Sequence, residues 1–389
     1  MPLLFKHKRV REIVLQAGLV ILVVALLTTF YLVAMSNMAK QGISLGFDFL
    51  GWSTGFELGY SIIPFSSYDS YGRALLAGMA NTILLGVLGI LFATGMGVVI
   101  AVLRLSKNPV LSLIGTSYVE LFRNLPLLLQ VLFWYAVFTN LPPPRQAYEF
   151  FSAVLISSRG FYFPALNVTP GPLVAAGLLV CLSLVAAVWI MASRFGRRFE
   201  VPARRAIALC VIGVGVLASC VLLAFNRIPE ATLFDIPAHA GLNIRGGFRV
   251  PPELLTLITA ITIYGGAYIG EIIRAGLMSV SRGPAEAAKA LGLSKFQTFT
   301  RIRFPLAIRA MLPALTNQYV WLFKATAMGI VIGYSDFFMV TAVSIPQSGH
   351  TFELIGILML GFLVMNNTIS ISLNWVNRKI QLKGTQLRS

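Results

Sequence analysis

The sequence predicts an all-α integral membrane protein with about eight transmembrane helices. Three observations predict it. Of 389 residues, 57% are hydrophobic and only 12% charged, where a soluble domain carries about a quarter charged residues. The apolar residues come in blocks close to the roughly 20 residues that cross a bilayer. The basic residues cluster in alternate connecting segments, as cytoplasmic loops require.

The blocks are Ile13–Met35, Ala77–Leu103, Val119–Phe138, Leu173–Met191, Ile207–Phe225, Leu254–Ile273, Leu306–Ile332 and Leu354–Leu373. The first follows a basic start. It is long for a signal-peptide core and lacks a clear small-x-small cleavage site, so it reads as a retained span, with cleavage as the alternative. The third is the least regular, because its first turns carry Glu120, Arg123 and Asn124. With the N-terminus inside, 23 of the 31 lysines and arginines fall in cytoplasmic segments. These are Lys6–Arg11, Arg104–Arg123, Arg194–Arg205, Arg274–Arg309 and Arg378–Arg388. Both termini are therefore expected in the cytoplasm. The sequence divides into an N-terminal part (1–76), two spans (77–139), a central region with two more (140–253), a third part (254–375) and a cytoplasmic tail (376–389).

The net charge of +17 raises the possibility of nucleic acid. Its spread over five segments, each beside a span, instead orients the protein and meets anionic lipid. Cys181, Cys210 and Cys220 lie inside apolar blocks without metal-like spacing and read as buried packing residues. His7, His239 and His350 are scattered, so no metal site is expected. The acceptor pattern Asn167-Val168-Thr169 precedes Pro170 and reads as a chance match.

The segment Ser281–Pro305 is the most structured loop. Gly283 is expected as N-cap, Pro284 at the first helical position and Glu286 at the third, its carboxylate reaching back to the cap. Alanines 285, 287, 288 and 290 favour a short helix. Gly292 suits the left-handed residue that ends it. Ser294 and Gln297 form a second capping box, and Pro305 closes the loop at the next span. Two short capped helices at a sharp turn suit insertion into a partner's groove. The same pattern also serves a surface hairpin that merely links two spans.

Glu286-Ala287-Ala288, Gly292, Ile302 and Pro305 have the spacing of the EAA signature, with Phe304 in place of its leucine. This resembles ABC importer permeases. Tyr118–Gln130 (YVELFRNLPLLLQ), Ala80–Ile83 and Tyr268–Gly276 resemble segments of the polar amino-acid permeases. The chain is identified as a member of the general L-amino-acid subgroup. The resemblance covers roughly 77–139 and 254–375. It implies a type I ABC importer permease core with extra N-terminal and central spans, in a bacterial inner membrane. It further implies that Glu286, Ala287, Ala288, Gly292 and Pro305 belong to the coupling helix that docks on the ATP-binding subunit. The implied partners are two ATP-binding subunits, a second homologous permease, a periplasmic amino-acid-binding protein and the amino-acid substrate. Asn124-Leu125 and Lys324-Ala325-Thr326 depart from the family's usual residues, and 140–253 has no counterpart in its five-span members.

No G-x-x-x-x-G-K-[ST] loop occurs. ATP and Mg²⁺ are thus expected on the partner ATPase, and this chain is expected to hold no cofactor and no catalytic residue. Lys324 and Thr326, with Asn317 and Gln318, are candidates for the substrate path. A snorkelling Lys324 and helix-bridging amides are the structural alternatives. Glu271 with Arg274, and Glu120 with Arg123, have the spacing of structural or gating pairs. An ion-gradient-driven secondary transporter is the alternative function. It needs acidic residues near the middle of spans, and no Asp or Glu stands in the middle of any of these blocks. A purely structural membrane subunit is weaker still.

Overall fold

The computed structural model describes residues 8–40, 46–168, 170–192, 200–226, 232 and 234–380. Thr169, the basic residues Lys6, Arg194, Arg197, Arg198, Lys383 and Arg388, and His7 lie outside them. Five of its helices are long and apolar enough to cross a membrane, or seven if each of two bent pairs is one span.

The helices are α1 (Lys8–Lys40), α2 (Tyr71–Leu105), α3 (Pro109–Asn124), α4 (Leu127–Thr139), α5 (Pro170–Ala192), α6 (Val201–Phe225), α7 (Pro252–Met278), α8 (Arg282–Ala290), α9 (Lys295–Thr298), α10 (Phe304–Ala325), α11 (Phe337–Ser348) and α12 (Thr351–Ile380). Among the described residues there are eight short strands, β1 (Tyr148–Phe150), β2 (Val154–Ser157), β3 (Gly160–Phe163), β4 (Ala165–Leu166), β5 (Phe234–Asp235), β6 (Ala238–Ala240), β7 (Asn243–Arg245) and β8 (Phe248–Val250). The chain forms two compact units, 1–131 with 257–389, and 132–256.

In the first unit, Ser70 caps α2, accepting from the Arg73 N–H at 3.4 Å. One side of α2 is lined with glycine and alanine, which lets the neighbouring helices approach its backbone. Gly86 lies so close to the Phe323 ring that a Cβ there would overlap it, and Gly89 faces Ile261 in the same way.

Two expected spans are broken. The block Val119–Phe138 is not one helix, since α3 and α4 meet at 102°. Pro126 is the cause, because it forces the preceding residue out of the helical region; Leu125 is extended at φ −89°, ψ 124°. The block Leu306–Ile332 is α-helical only to Ala325, continues as a 3₁₀ segment to Ile332, and turns at Gly333 (φ 76°). A further apolar helix that the sequence reading missed, α11, then leaves at 47°. Its signal is present in the sequence: Asp336 is an N-cap residue ahead of an apolar run, and its carboxylate accepts from the Met339 N–H at 2.7 Å.

The second unit also differs from an all-helical expectation. Strands β1-β2-β3-β8 form an antiparallel sheet, and β4-β5 and β6-β7 form two small ribbons. Helices α5 and α6 pack as a tight pair where Gly215 admits Ser183, and Ser219 Oγ donates to the Ala176 carbonyl at 3.0 Å. Cys210 and Cys220 are exposed on α6 rather than buried. They belong to the outer surface of an apolar hairpin, where an apolar sequence position does not mean a packed one.

Candidate functional site: the 281–305 element and the α10 face

Helix α8 is capped by Ser281, without a side-chain hydrogen bond. The start is therefore two residues earlier than the expected Gly283 cap. Pro284 falls at the third helical position, where its missing N–H is still harmless. Glu286 lies one turn further in, exposed, rather than closing the cap. Among the capping residues, Gly292 is as expected. It sits at φ +77°, its N–H donates to Lys289 O at 2.9 Å, and the Leu293 N–H donates to Ala288 O at 3.1 Å. These are the paired bonds of a Schellman motif. Ala288 is buried beneath the turn, whereas Ala287 is exposed.

The Ser294 capping box forms with both halves present. The Gln297 N–H donates to Ser294 Oγ at 3.2 Å, and the Ser294 N–H donates to Gln297 Oε1 at 3.0 Å. Beyond it the expected second short helix does not end. The turn Lys295–Thr298 passes through a π-helical turn, Phe299–Arg303, directly into α10. Pro305 thus lies inside the start of α10 and does not close the loop. A proline removes a backbone donor and crowds the carbonyl four residues before it. The wider turn, in which the Phe304 N–H donates to Phe299 O, makes room for that ring.

Two residues escaped the sequence reading. Leu291 is 81% exposed and Phe296 is 76% exposed, at the two ends of the Gly292 turn. Large apolar residues in a polar loop were the available signal.

The α10 face is built from the spacing of its exposed residues. Ala310, Ala314, Asn317, Trp321 and Lys324 recur every three or four residues and lie along one exposed stripe. Asn317 and Lys324 are thereby brought onto one face. Gln318 is half-buried beside it. Thr326 is fully buried, and its hydroxyl donates to Phe323 O at 2.7 Å, so it faces packed protein. Aromatic rings extend the stripe. Trp321 stacks on Tyr264 at 5.1 Å, Tyr264 meets Tyr268 at 4.9 Å, and the Arg123 guanidinium lies 4.9 Å from the Tyr268 centroid. Arg123 and Tyr268 also border a cavity of about 350 Å³ reaching to Gly276 and Met311.

Glu271 pairs with Arg274 as the spacing predicts, at 2.6 Å, and also with Arg104 at the end of α2. The second expected pair is absent among the described residues. Arg123 turns to Tyr268 instead of Glu120, because the bend at Pro126 ends α3 beside α7.

Residues 87–383 match the family described as "Binding-protein-dependent transport system inner membrane component". The permease protein YhdX of Escherichia coli (strain K12) is 36% identical over 380 residues, covering 97% of this chain and 96% of YhdX. The general L-amino acid transport system permease protein AapQ of Rhizobium johnstonii is 35% identical over 347 residues, covering 89% of this chain and 86% of AapQ. A chain of a crystallised amino acid ABC transporter with histidines is 21% identical, with a TM-score of 0.47, covering 79% of this chain and 95% of that one. The family match spans well over half of the sequence, and the chain belongs to the binding-protein-dependent transport system inner membrane components.

Proposed function

We propose that this chain is the permease subunit of an ABC importer for amino acids, coupled to its ATPase through residues 281–305. It is a transport subunit and not an enzyme; an ATPase and another permease complete the importer. In this reading two ATPase copies, a homologous permease and a periplasmic amino-acid-binding protein assemble with it, and both termini are cytoplasmic. Residues 77–139 and 254–375 form the core, and 140–253 is an insertion into it.

The observation that carries the coupling assignment is the shape of the 281–305 element. Two caps fix its turn, and Leu291 and Phe296 stand almost free at the tip. Exposed apolar side chains on a rigid polar loop mark a protein contact. Glu286, Ala287, Gly292 and the continuous backbone through Pro305 hold that tip. The substrate path runs along the α10 face, where Lys324 and Arg123 supply positive charge for a substrate carboxylate and Asn317 supplies polar contacts. Gln318 stands at its edge, and Thr326 supports it from behind.

The test compares Leu291→Asp with Phe296→Asp, and Glu286→Lys with Gly292→Trp, in the reconstituted importer. Uptake and permease-stimulated ATP hydrolysis are expected to be lost while membrane levels stay unchanged. Unaltered uptake in all four variants would remove the coupling assignment.

A further inference from the structure

The four-stranded sheet of the second unit has two unlike faces. On one, Glu149, Leu155, Tyr162 and Arg249 stand in a row across the strands. Leu155 and Tyr162 are buried there in a small core with Ile244. On the other, the register puts Tyr148, Ile156, Phe161 and Val250 in one row, with Phe150, Val154, Phe163 and Phe248 beside it. That face carries no charge, yet Tyr148, Phe150, Phe163 and Phe248 are between 38% and 54% exposed.

Short connections hold this sheet close to the ends of apolar helices. Successive membrane helices alternate in direction, so the end of α4, the start of α5, the end of α6 and the start of α7 share one side. Strand β8 ends at Val250 and α7 begins at Pro252. Two residue steps span at most about 7 Å. Strand β4 ends at Leu166 and α5 begins at Pro170. The open face is also the one turned to a helix end: Phe138, in the last turn of α4, packs edge-on against Phe161 at 5.7 Å.

The hairpin tip adds an independent observation. Phe151 and Ser152 both have positive φ, 53° and 51°, and the Ala153 N–H donates to Phe150 O at 3.2 Å. Two successive positive-φ residues in a tight hairpin turn are positions that asparagine and glycine normally fill. Holding a phenylalanine in left-handed backbone costs energy, and Phe151 is 97% exposed. Its ring therefore gains nothing from packing within the chain.

We propose that the aromatic face of the β1-β2-β3-β8 sheet lies in the membrane–water interface, with its occupant the phospholipid surface around α4 and α7. Aromatic rings are favoured at headgroup level, where one edge is apolar and the other wet. A soluble partner that came and went would leave an uncharged aromatic face in water between visits. Lipid covers it at all times.

The experiment uses the full chain, with Cys181, Cys210 and Cys220 changed to serine, in nanodiscs of phosphatidylethanolamine and phosphatidylglycerol. Phe150→Cys and Phe248→Cys report the open face, and Glu149→Cys reports the opposite one, each carrying a bimane label. Lipids with a nitroxide near the headgroup should quench the first two at least about threefold more than the third, as interfacial burial requires. Aqueous iodide should give the reverse order. Benzoylphenylalanine at Phe150 or Phe248, in the chain with its native cysteines, should yield lipid adducts on irradiation, which guards against misfolded labelled variants. Equal iodide quenching on both faces overturns the proposal. So does protection, or a protein adduct, that arises only when the binding protein is added.

Discussion

The Gln130 side chain reaches back across the Pro126 bend to the carbonyl of Phe122, 3.2 Å from its Nε2, and to that of Leu125 at the same distance. It closes the end of α3 with an amide from α4. Gln130→Leu keeps the volume and removes both bonds. Each is worth about 1 kcal/mol, more if a carbonyl is left buried without a partner. Thermal unfolding in detergent should show a lower Tm, and Gln130→Glu should not restore it, because a carboxylate cannot donate.

Glu271 accepts from Arg274 and from Arg104. Removing it leaves two arginines facing each other, so Glu271→Gln should cost more than Arg104→Gln. A double-mutant cycle between Arg104 and Glu271 should give a coupling of about 1 kcal/mol or more, in the range seen for residues in one ionic network. Strictly additive losses would mean that the two do not interact.

Gly86 fixes how near α2 comes to the Phe323 ring. Gly86→Val should destabilise by about 1–3 kcal/mol, the usual cost of overpacking. Phe323→Ala should recover part of that loss when combined with it. Failure of the pair to compensate, read as the Tm of the double variant against both singles, would place the strain elsewhere.

Ser152→Gly should stabilise the β1-β2 hairpin by about 1 kcal/mol, because glycine takes positive φ without the Cβ penalty. Hydrogen exchange at the Ala153 amide is the direct measurement, and slower exchange is the expected result.

These sites show what a sequence discloses and what it does not. The apolar blocks gave the membrane helices because hydropathy is a local property. Gly292 and the Ser294–Gln297 box were legible because a cap is specified within four residues. The breaks were harder. Pro126 was visible, but whether a proline kinks a helix or ends it depends on what receives the freed carbonyls, and Gln130 is that receiver. Helix α11 was hidden because its apolar run follows a left-handed glycine that reads as a loop. The strands escaped notice because each has two to four residues, too few to set a period. At the site, the spacing of Asn317 and Lys324 was readable. Tyr264, Trp321 and Arg123, which extend that stripe, come from three helices and have no signature in any one of them.

The wide turn at Phe299–Arg303 has a geometric consequence for the whole molecule. It holds one residue more than an α-helix would, and one residue is about 100° of rotation. The Leu291–Phe296 turn and the Asn317–Lys324 stripe are thus clocked against each other by a single amino acid. Taking out that residue would leave both surfaces intact in composition and turned away from their present alignment. The phase of the helix, as much as the side chains it displays, is part of what the sequence encodes.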